Sequence, residues 1–323
     1  MRFYIVDAFT DQLFGGNPAG VVILEEGASF PDDAVMIKTA AELRYSETAF
    51  VKQLSETEFQ IRYFTPAAEV PLCGHATIAS FTALRDAGLV KDGGSYRLQA
   101  PAGSLAVELP DGFVMMEMAA PTLIGRIDEP DAVLSLYQVM GLDYEPASVQ
   151  TGAGVTELPV LIVSTGLPDI MLPVKDEKTL SAIAPDFPAL AKLSEEYDVV
   201  GVHAFALAHK DTEITAHCRN FAPLYEIDEE AATGTSNGAL TYYLYHLGLI
   251  SDGARCCFLQ GEAMDRPSKI YSCAQTEPVP EKSTGQLTEK TAGQPTEKTA
   301  EKTAVTITVG GPGVILARGT IDL

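Results

Sequence analysis

Two segments of the chain share one pattern. Arg62 to Val70 reads R-Y-F-T-P-A-A-E-V, and Arg219 to Ile227 reads R-N-F-A-P-L-Y-E-I. R-x-F-x-P-x-x-E followed by a β-branched residue therefore occurs twice, 157 positions apart. At that spacing Cys73 falls opposite Glu230. Each copy runs into a helical pattern closed by Gly88-Leu89-Val90 or Gly248-Leu249-Ile250, now 160 positions apart, which places an insertion of about three residues near Gly234 to Gly238. A doubled pattern predicts two similar halves facing each other. The residues after each R-x-F-x-P-x-x-E would then meet in the cleft.

At 323 residues the chain can bury a large core and divide in two. Its formal charge of -22 repels phosphate backbones and anionic lipid, so neither nucleic acid nor a membrane is an expected partner. No apolar run is long enough to span a bilayer. The N-terminus reads as a first strand rather than a signal peptide. The five cysteines, at 73, 218, 256, 257 and 273, form neither a CxxC pair nor a zinc-ligand spacing. Reduced thiols and a cytoplasmic location are the expectation.

Along the chain, Met1 to Asp7 and Val21 to Leu24 read as strands around the turn-rich Phe14 to Gly20. Ala34 to Leu43 has helical spacing, Ser46 to Val51 and Phe59 to Phe64 alternate as strands, and His75 to Leu84 reads as an apolar helix stopped by Gly88. Pro121 to Pro130 is the candidate linker. Beyond it, Leu161 to Leu172 repeats the first strand pair, with Gly166-Leu167-Pro168 matching Gly16-Asn17-Pro18. Ala204-Phe205-Ala206 matches Ala49-Phe50-Val51 at an offset of 155. The expected fold is α+β, with two pseudo-symmetric halves, 1–120 and 121–323. Each half is a mostly antiparallel, barrel-like sheet around one central apolar helix. Residues 274–304 repeat Thr-Glu-Lys-Thr-Ala and hold no aromatic residue. Such a segment buries too little apolar surface to offset its ordering entropy, and a disordered insertion is expected there.

Chemistry is expected where strands open into the apolar helices. Pro71-Leu72-Cys73-Gly74-His75 and Ala232-Thr233-Gly234-Thr235 both precede a helix, whose free N–H groups suit a carboxylate. The alternative is that Thr, Ser and Asn there are only N-caps. His75 is a candidate acid, base or clamp. Cys73 is either a small buried hydrophobe or a thiol favoured as thiolate by the helix start. Glu230 is singled out from its acidic neighbours by its place opposite Cys73. Glu47 stands between Ser46 and Thr48 on an otherwise apolar strand. Burial there would raise its pKa, whereas an outward position would leave it ordinary.

These motifs, in this order, resemble the phenazine-biosynthesis-like PhzF family within the diaminopimelate-epimerase-like fold. The resemblance rests on Asp7 to Thr10, Phe14 to Val22, Tyr45 to Val51, Phe64 to Thr77, Arg219 to Pro223, Ala232 to Gly234, Gln260-Gly261, Arg266 to Ser268 and Val309 to Gly311. It implies an isomerase with no cofactor and no metal, acting on a small carboxylate-bearing molecule, and a homodimer. It implies that Glu47 shuttles the proton, that His75 holds the substrate, and that a carboxylate at Glu230 completes the site. Gly74, Cys73, Gly234 and Thr235 are then the expected substrate contacts. The sequence departs from the family's E-D-P-A-T-G-S at three positions, where Glu230, Ala231 and Thr235 stand for Asp, Pro and Ser. Two other readings remain open: an epimerase that pairs Cys73 with Glu230, and a small-molecule binding protein without chemistry.

Overall fold

The computed structural model describes residues 1–151, 154–208, 212–278 and 303–323. The first copy of the repeat holds β1 (Arg2–Ala8), β2 (Asn17–Ile23), α1 (Asp33–Leu43), β3 (Thr48–Gln53), β4 (Glu58–Phe64), β5 (Glu69–Val70), α2 (Gly74–Asp86), β6 (Ser95–Ala100), β7 (Gly103–Glu108) and β8 (Phe113–Glu117). Next come β9 (Thr122–Ile127), α3 (Pro130–Val139) and a hairpin of β10 (Ser148–Thr151) with β11 (Gly154–Glu157). The second copy holds β12 (Val160–Ser164), β13 (Pro168–Pro173), α4 (Glu177–Ser181), α5 (Phe187–Glu196), β14 (Gly201–Leu207), β15 (Ala216–Ala222) and β16 (Ile227–Glu230). It ends with α6 (Gly234–His246), β17 (Arg255–Gln260), β18 (Ser268–Pro278) and β19 (Thr303–Thr320).

Both copies use the same connections. β2 pairs in parallel with β3 across α1, as β13 does with β14 across α4 and α5. β4 pairs in parallel with β6 across α2, as β15 does with β17 across α6. The remaining ladders are antiparallel, and each copy curls around its apolar helix. This is the expected α+β architecture of two barrel-like halves. The central helices are buried on nearly every side, so their sequences are rich in small residues rather than amphipathic. Their buried hydroxyls are satisfied locally: Thr77, Ser80 and Thr82 each donate to the carbonyl four residues back, at 2.6–2.8 Å.

The halves exchange strands. β9, which follows the first copy, pairs with β12, the first strand of the second. β19 pairs with β18 and β8 and then runs on along β1 from Gly313 to Thr320. The segment read as a linker, Pro121 to Pro130, is therefore mostly strand. Its flanking prolines mark the ends of β9, whose interior Leu123, Ile124 and Ile127 are good strand formers. The insertion expected at 274–304 also begins later. Residues 274–278 and 303–304 lie in β18 and β19, which pair as far as Pro278 with Thr303, and 279–302 fall outside the described residues.

The structure corrects the alignment of the two copies. Tyr63 pairs with Val70, and Asn220 pairs with Glu230, so Glu230 is the counterpart of Val70. The two central helices start and stop at a constant offset of 160, from Gly74 to Gly234 and from Asp86 to His246. The three extra residues therefore lie in the turn after Pro223, where Glu226 adopts a left-handed φ of 62°, and not at Gly234 to Gly238. The counterpart of Cys73 is Thr233, not Glu230. The β3 match also moves by one: Thr48 pairs with Phe64 as Val202 pairs with Phe221, so Ala49 corresponds to His203.

Candidate active site

Glu47 arrives at the cleft by a chain reversal. α1 ends at Arg44 in the left-handed conformation, and the turn through Ser46 places Glu47 just ahead of β3. β3 itself does not alternate. Thr48 to Val51 are all buried, because Ala49 and Val51 join the core around α2 while Phe50 packs with Met36 and Ala40 of α1. Glu47 points inward, its Oε2 3.1 Å from Nε2 of the buried His75. Ser46 Oγ lies 3.3 Å from the same nitrogen. On the other side of the ring, His75 Nδ1 is 3.6 Å from Glu230 Oε1, while Cys73 Sγ lies near both ring nitrogens, 3.5 Å from Nδ1 and 3.8 Å from Nε2. One imidazole thus sits between two carboxylates and a thiol.

The charges follow from this arrangement. Burial raises the pKa of Glu47, but the charge of His75, with hydrogen bonds from His75, Ser46 and Cys73, outweighs burial and leaves it below the usual carboxylate range. The sequence expectation of a raised pKa thus reverses. Burial disfavours a charged His75, yet the Glu47 carboxylate, with hydrogen bonds to Cys73 and Glu47, holds it well above the ordinary imidazole value. Burial pushes the Cys73 thiol up to about 11, so it is protonated at neutral pH and Glu47 is the anion that holds the imidazolium. Burial also raises Glu230, against the opposing pull of His75, Thr233 and Asn17.

The two helix starts converge. A Cβ built on Gly74 would lie 3.7 Å from the Cα of Gly234, and one on Gly234 would lie 3.9 Å from the Cα of Gly74. Neither Cys73 nor Thr233 makes a side-chain capping bond. The polar residues around the start of α6 are turned elsewhere: Thr233 Oγ1 donates to Glu230 Oε2 at 2.5 Å, Ser236 to Asp169, and Asn237 to Gln260. The capping alternative is thereby answered. Two positive helix ends meet, and their N–H groups are not occupied by N-cap side chains. Thr235, the counterpart of His75, lies half-buried in the first turn of α6, and its carbonyl accepts from Thr165.

Sequence reading gave no role to Asn17, Gln260 or the pair Asp7 and Arg266. Asn17 Nδ2 donates to Glu230 Oε1 at 3.0 Å and to the Ala232 carbonyl at 3.1 Å, and flanks His75 Nδ1 at 3.2 Å. Gln260 holds the Thr233 N–H and the Glu230 carbonyl. Arg266 binds Asp7 and the carbonyls of Gly15 and Gly16, fixing the loop that carries Asn17. Gly16 turns there with a φ of +63°, and a Cβ would meet the Ala8 carbonyl oxygen at 2.2 Å. The signal for Asn17 was the repeat itself, because the matching position in the second copy is the apolar Leu167.

The phenazine biosynthesis-like protein model, PhzC-PhzF, matches residues 6–293. The chain belongs to the phenazine-biosynthesis-like PhzF family. An uncharacterized isomerase of Clostridium acetobutylicum is 32% identical over 88% of this chain and 94% of its own length. The trans-2,3-dihydro-3-hydroxyanthranilate isomerase of Pseudomonas chlororaphis is 28% identical over 100% of this chain and 99% of its own. A PhzF-family protein of Bacillus anthracis superimposes with a TM-score of 0.79 at 23% identity, covering 100% of this chain and 99% of that one. This PhzF-family chain is accordingly an enzyme of the isomerase class. Among the described residues no helix is long and apolar enough to cross a membrane.

Proposed function

We propose that the enzyme moves a proton, and with it a double bond, on a small carboxylate-bearing substrate without a cofactor. The substrate carboxylate docks on the amides that open α2 and α6 at Gly74 and Gly234, with the Thr235 hydroxyl beside it. Glu47, ionised at neutral pH, removes a proton from a carbon made acidic by conjugation and returns it to another carbon on the same face. A carboxylate with a lowered pKa is a ready base but a weak one, so the substrate itself must supply an acidified C–H. The charged imidazole of His75 and the carboxyl of Glu230 orient the substrate and offset charge as it develops.

The observation that carries this reading is the Glu47–His75 pair beside the meeting point of two uncapped helix starts. An epimerase pairing Cys73 with Glu230 has less support, because burial pushes the Cys73 thiol up to about 11 and leaves no thiolate to take a proton near neutrality. The test is to incubate wild type and Glu47→Gln in D2O with unsaturated and amino carboxylates. A dihydro-hydroxyanthranilate, the type of substrate named for the Pseudomonas relative, heads the panel. Deuterium uptake and product are followed by NMR. Turnover by wild type alone supports the reading, and equal exchange by Glu47→Gln rejects it.

A further inference from the structure

The donor atoms at the cleft have a second use. Glu47, Cys73 and His75 each offer one ligand atom, and these atoms lie within 4.8 Å of one another. Among the described residues no other group of three His, Cys, Asp or Glu donors comes this close. His75 Nε2 is 3.1 Å from Glu47 Oε2 and 3.8 Å from Cys73 Sγ. Tetrahedral zinc, with bonds of about 2.0 Å to N and O and about 2.3 Å to S, sets its ligand atoms roughly 3.3 to 3.6 Å apart. Glu230 lies on the Nδ1 side of the ring, apart from the three proposed ligand atoms. The cation Glu47 holds here is the imidazolium of His75, whose second proton the ion would displace. Glu47 and Glu230 flank one imidazole, and among the described residues neither is paired with a lysine or arginine.

We infer that Glu47 Oε2, Cys73 Sγ and His75 Nε2 form a three-ligand site for one thiophilic divalent ion of the zinc class. On binding, the Cys73 thiol loses its proton to solvent and its sulfur lone pair forms the metal bond. His75 sheds any second proton in the same way, and no oxidation state changes. One thiolate and one carboxylate balance the ion's charge. The ion ties up Glu47, so on the reading of function above it excludes substrate and acts as a reversible inhibitor.

Cobalt(II) is the probe, added to the full-length protein in the absence of substrate, so that the outcome does not depend on knowing the reaction. Wild type should bind one ion per chain, showing a thiolate-to-metal charge-transfer band and the visible bands of tetrahedral cobalt, and zinc should displace it. Cys73→Ser, which keeps nearly the size of the cysteine, should lose the charge-transfer band. Glu47→Gln should keep the band but bind more weakly, by more than the roughly 10- to 100-fold that loss of an outer-shell partner costs. Circular dichroism checks that each variant is folded. A wild-type protein without the band, or a band that survives in Cys73→Ser because another cysteine supplies it, overturns the site. Equal cobalt affinity in Glu47→Gln and wild type does the same.

Discussion

Glu47 and Gly201 hold the same place in the two copies of the repeat, each just ahead of the residue paired with the phenylalanine of R-x-F. In one copy the position carries the acid, while in the other a Cβ would lie 1.8 Å from the Phe221 carbonyl oxygen. The candidate cleft is thus asymmetric by construction, with Glu47, His75 and Asn17 from the first half and Glu230 from the second. Glu47→Gln should lower turnover by about 10²- to 10⁴-fold, as expected for loss of a general base. Gly201→Ala should instead act on stability, at a cost of about 1–3 kcal/mol from overpacking against backbone. Steady-state kinetics beside urea unfolding would separate the two. A Gly201→Ala protein as stable as wild type would show that β14 yields more readily than this contact implies.

The Glu47–His75 pair predicts a pH profile. Glu47 is held below the ordinary carboxylate range and His75 above the ordinary imidazole value, so kcat/KM should be flat through neutrality. The acid limb reports protonation of Glu47, and the alkaline limb reports loss of the His75 proton. In His75→Asn the largest lowering influence on Glu47 disappears and burial remains. The acid limb should then move to higher pH and the alkaline limb should vanish. An acid limb unmoved by this substitution would show that His75 does not set the charge of Glu47.

Much of this was legible in the chain. The repeat gave two halves and two central helices because the spacing of Ile78, Phe81 and Leu84, and of Leu240, Tyr243 and Leu247, survives any loop change. It located Glu230 for the wrong reason. A three-residue insertion inside the hairpin after Pro223 shifted the arithmetic, and only ladder pairing shows which side of a turn holds the extra residues. β9 was missed because prolines bound it and its partner lies in the other half, a long-range pairing that no local pattern records. The depressed pKa of Glu47 was unreadable for a related reason. It depends on a histidine 28 positions away that reaches it only through the packing of α2 against β3.

The repeated arginines make the same contacts in both copies, although the partner in the second copy is Glu229, the counterpart of Glu69 at an offset of 160, and not the Glu226 of the repeated pattern. Arg62 grips Glu69 through two bonds of 2.7 and 2.6 Å, and Arg219 grips Glu229 through bonds of 2.8 and 2.7 Å. Each stacks on the phenylalanine two residues on, with centroid distances of 5.1 and 4.9 Å. Arg219 also donates to the carbonyls of Leu180 and Ile183, tying α4 to β15. Arg219→Ala leaves a mostly buried carboxylate and the Ile183 carbonyl without this partner and should cost about 3–5 kcal/mol. Arg219→Lys should recover only part of this, since an ammonium cannot make the forked contact. Urea midpoints of the three proteins test the order. A lysine variant equal to wild type would assign the arginine's value to charge alone.

Behind the cleft, two buried groups titrate in opposite senses. Asp169 accepts from Ser236 at 2.5 Å, and burial pushes its pKa up to about 7. His203 lies 3.0 Å from Asn220 Oδ1, and burial pushes its pKa down to about 4. The folded state therefore binds an extra proton at Asp169 between about pH 4 and 7, so this group's contribution to stability falls as pH rises. The unfolded state binds the extra proton at His203 between about pH 4 and 6.5, so that contribution rises with pH. In the wild type the two slopes nearly cancel. Asp169→Asn keeps a neutral side chain at every pH and removes only the first slope. The stability of the variant relative to wild type should climb by about 1.4 kcal/mol per pH unit across this range and level off above pH 7, a total on the order of 4 kcal/mol. Chemical denaturation of both proteins from pH 4 to 8 gives the difference curve directly. A flat curve would mean that Asp169 is ionised in the folded protein throughout, and that Ser236 and the Gly201 amide suffice to hold its charge.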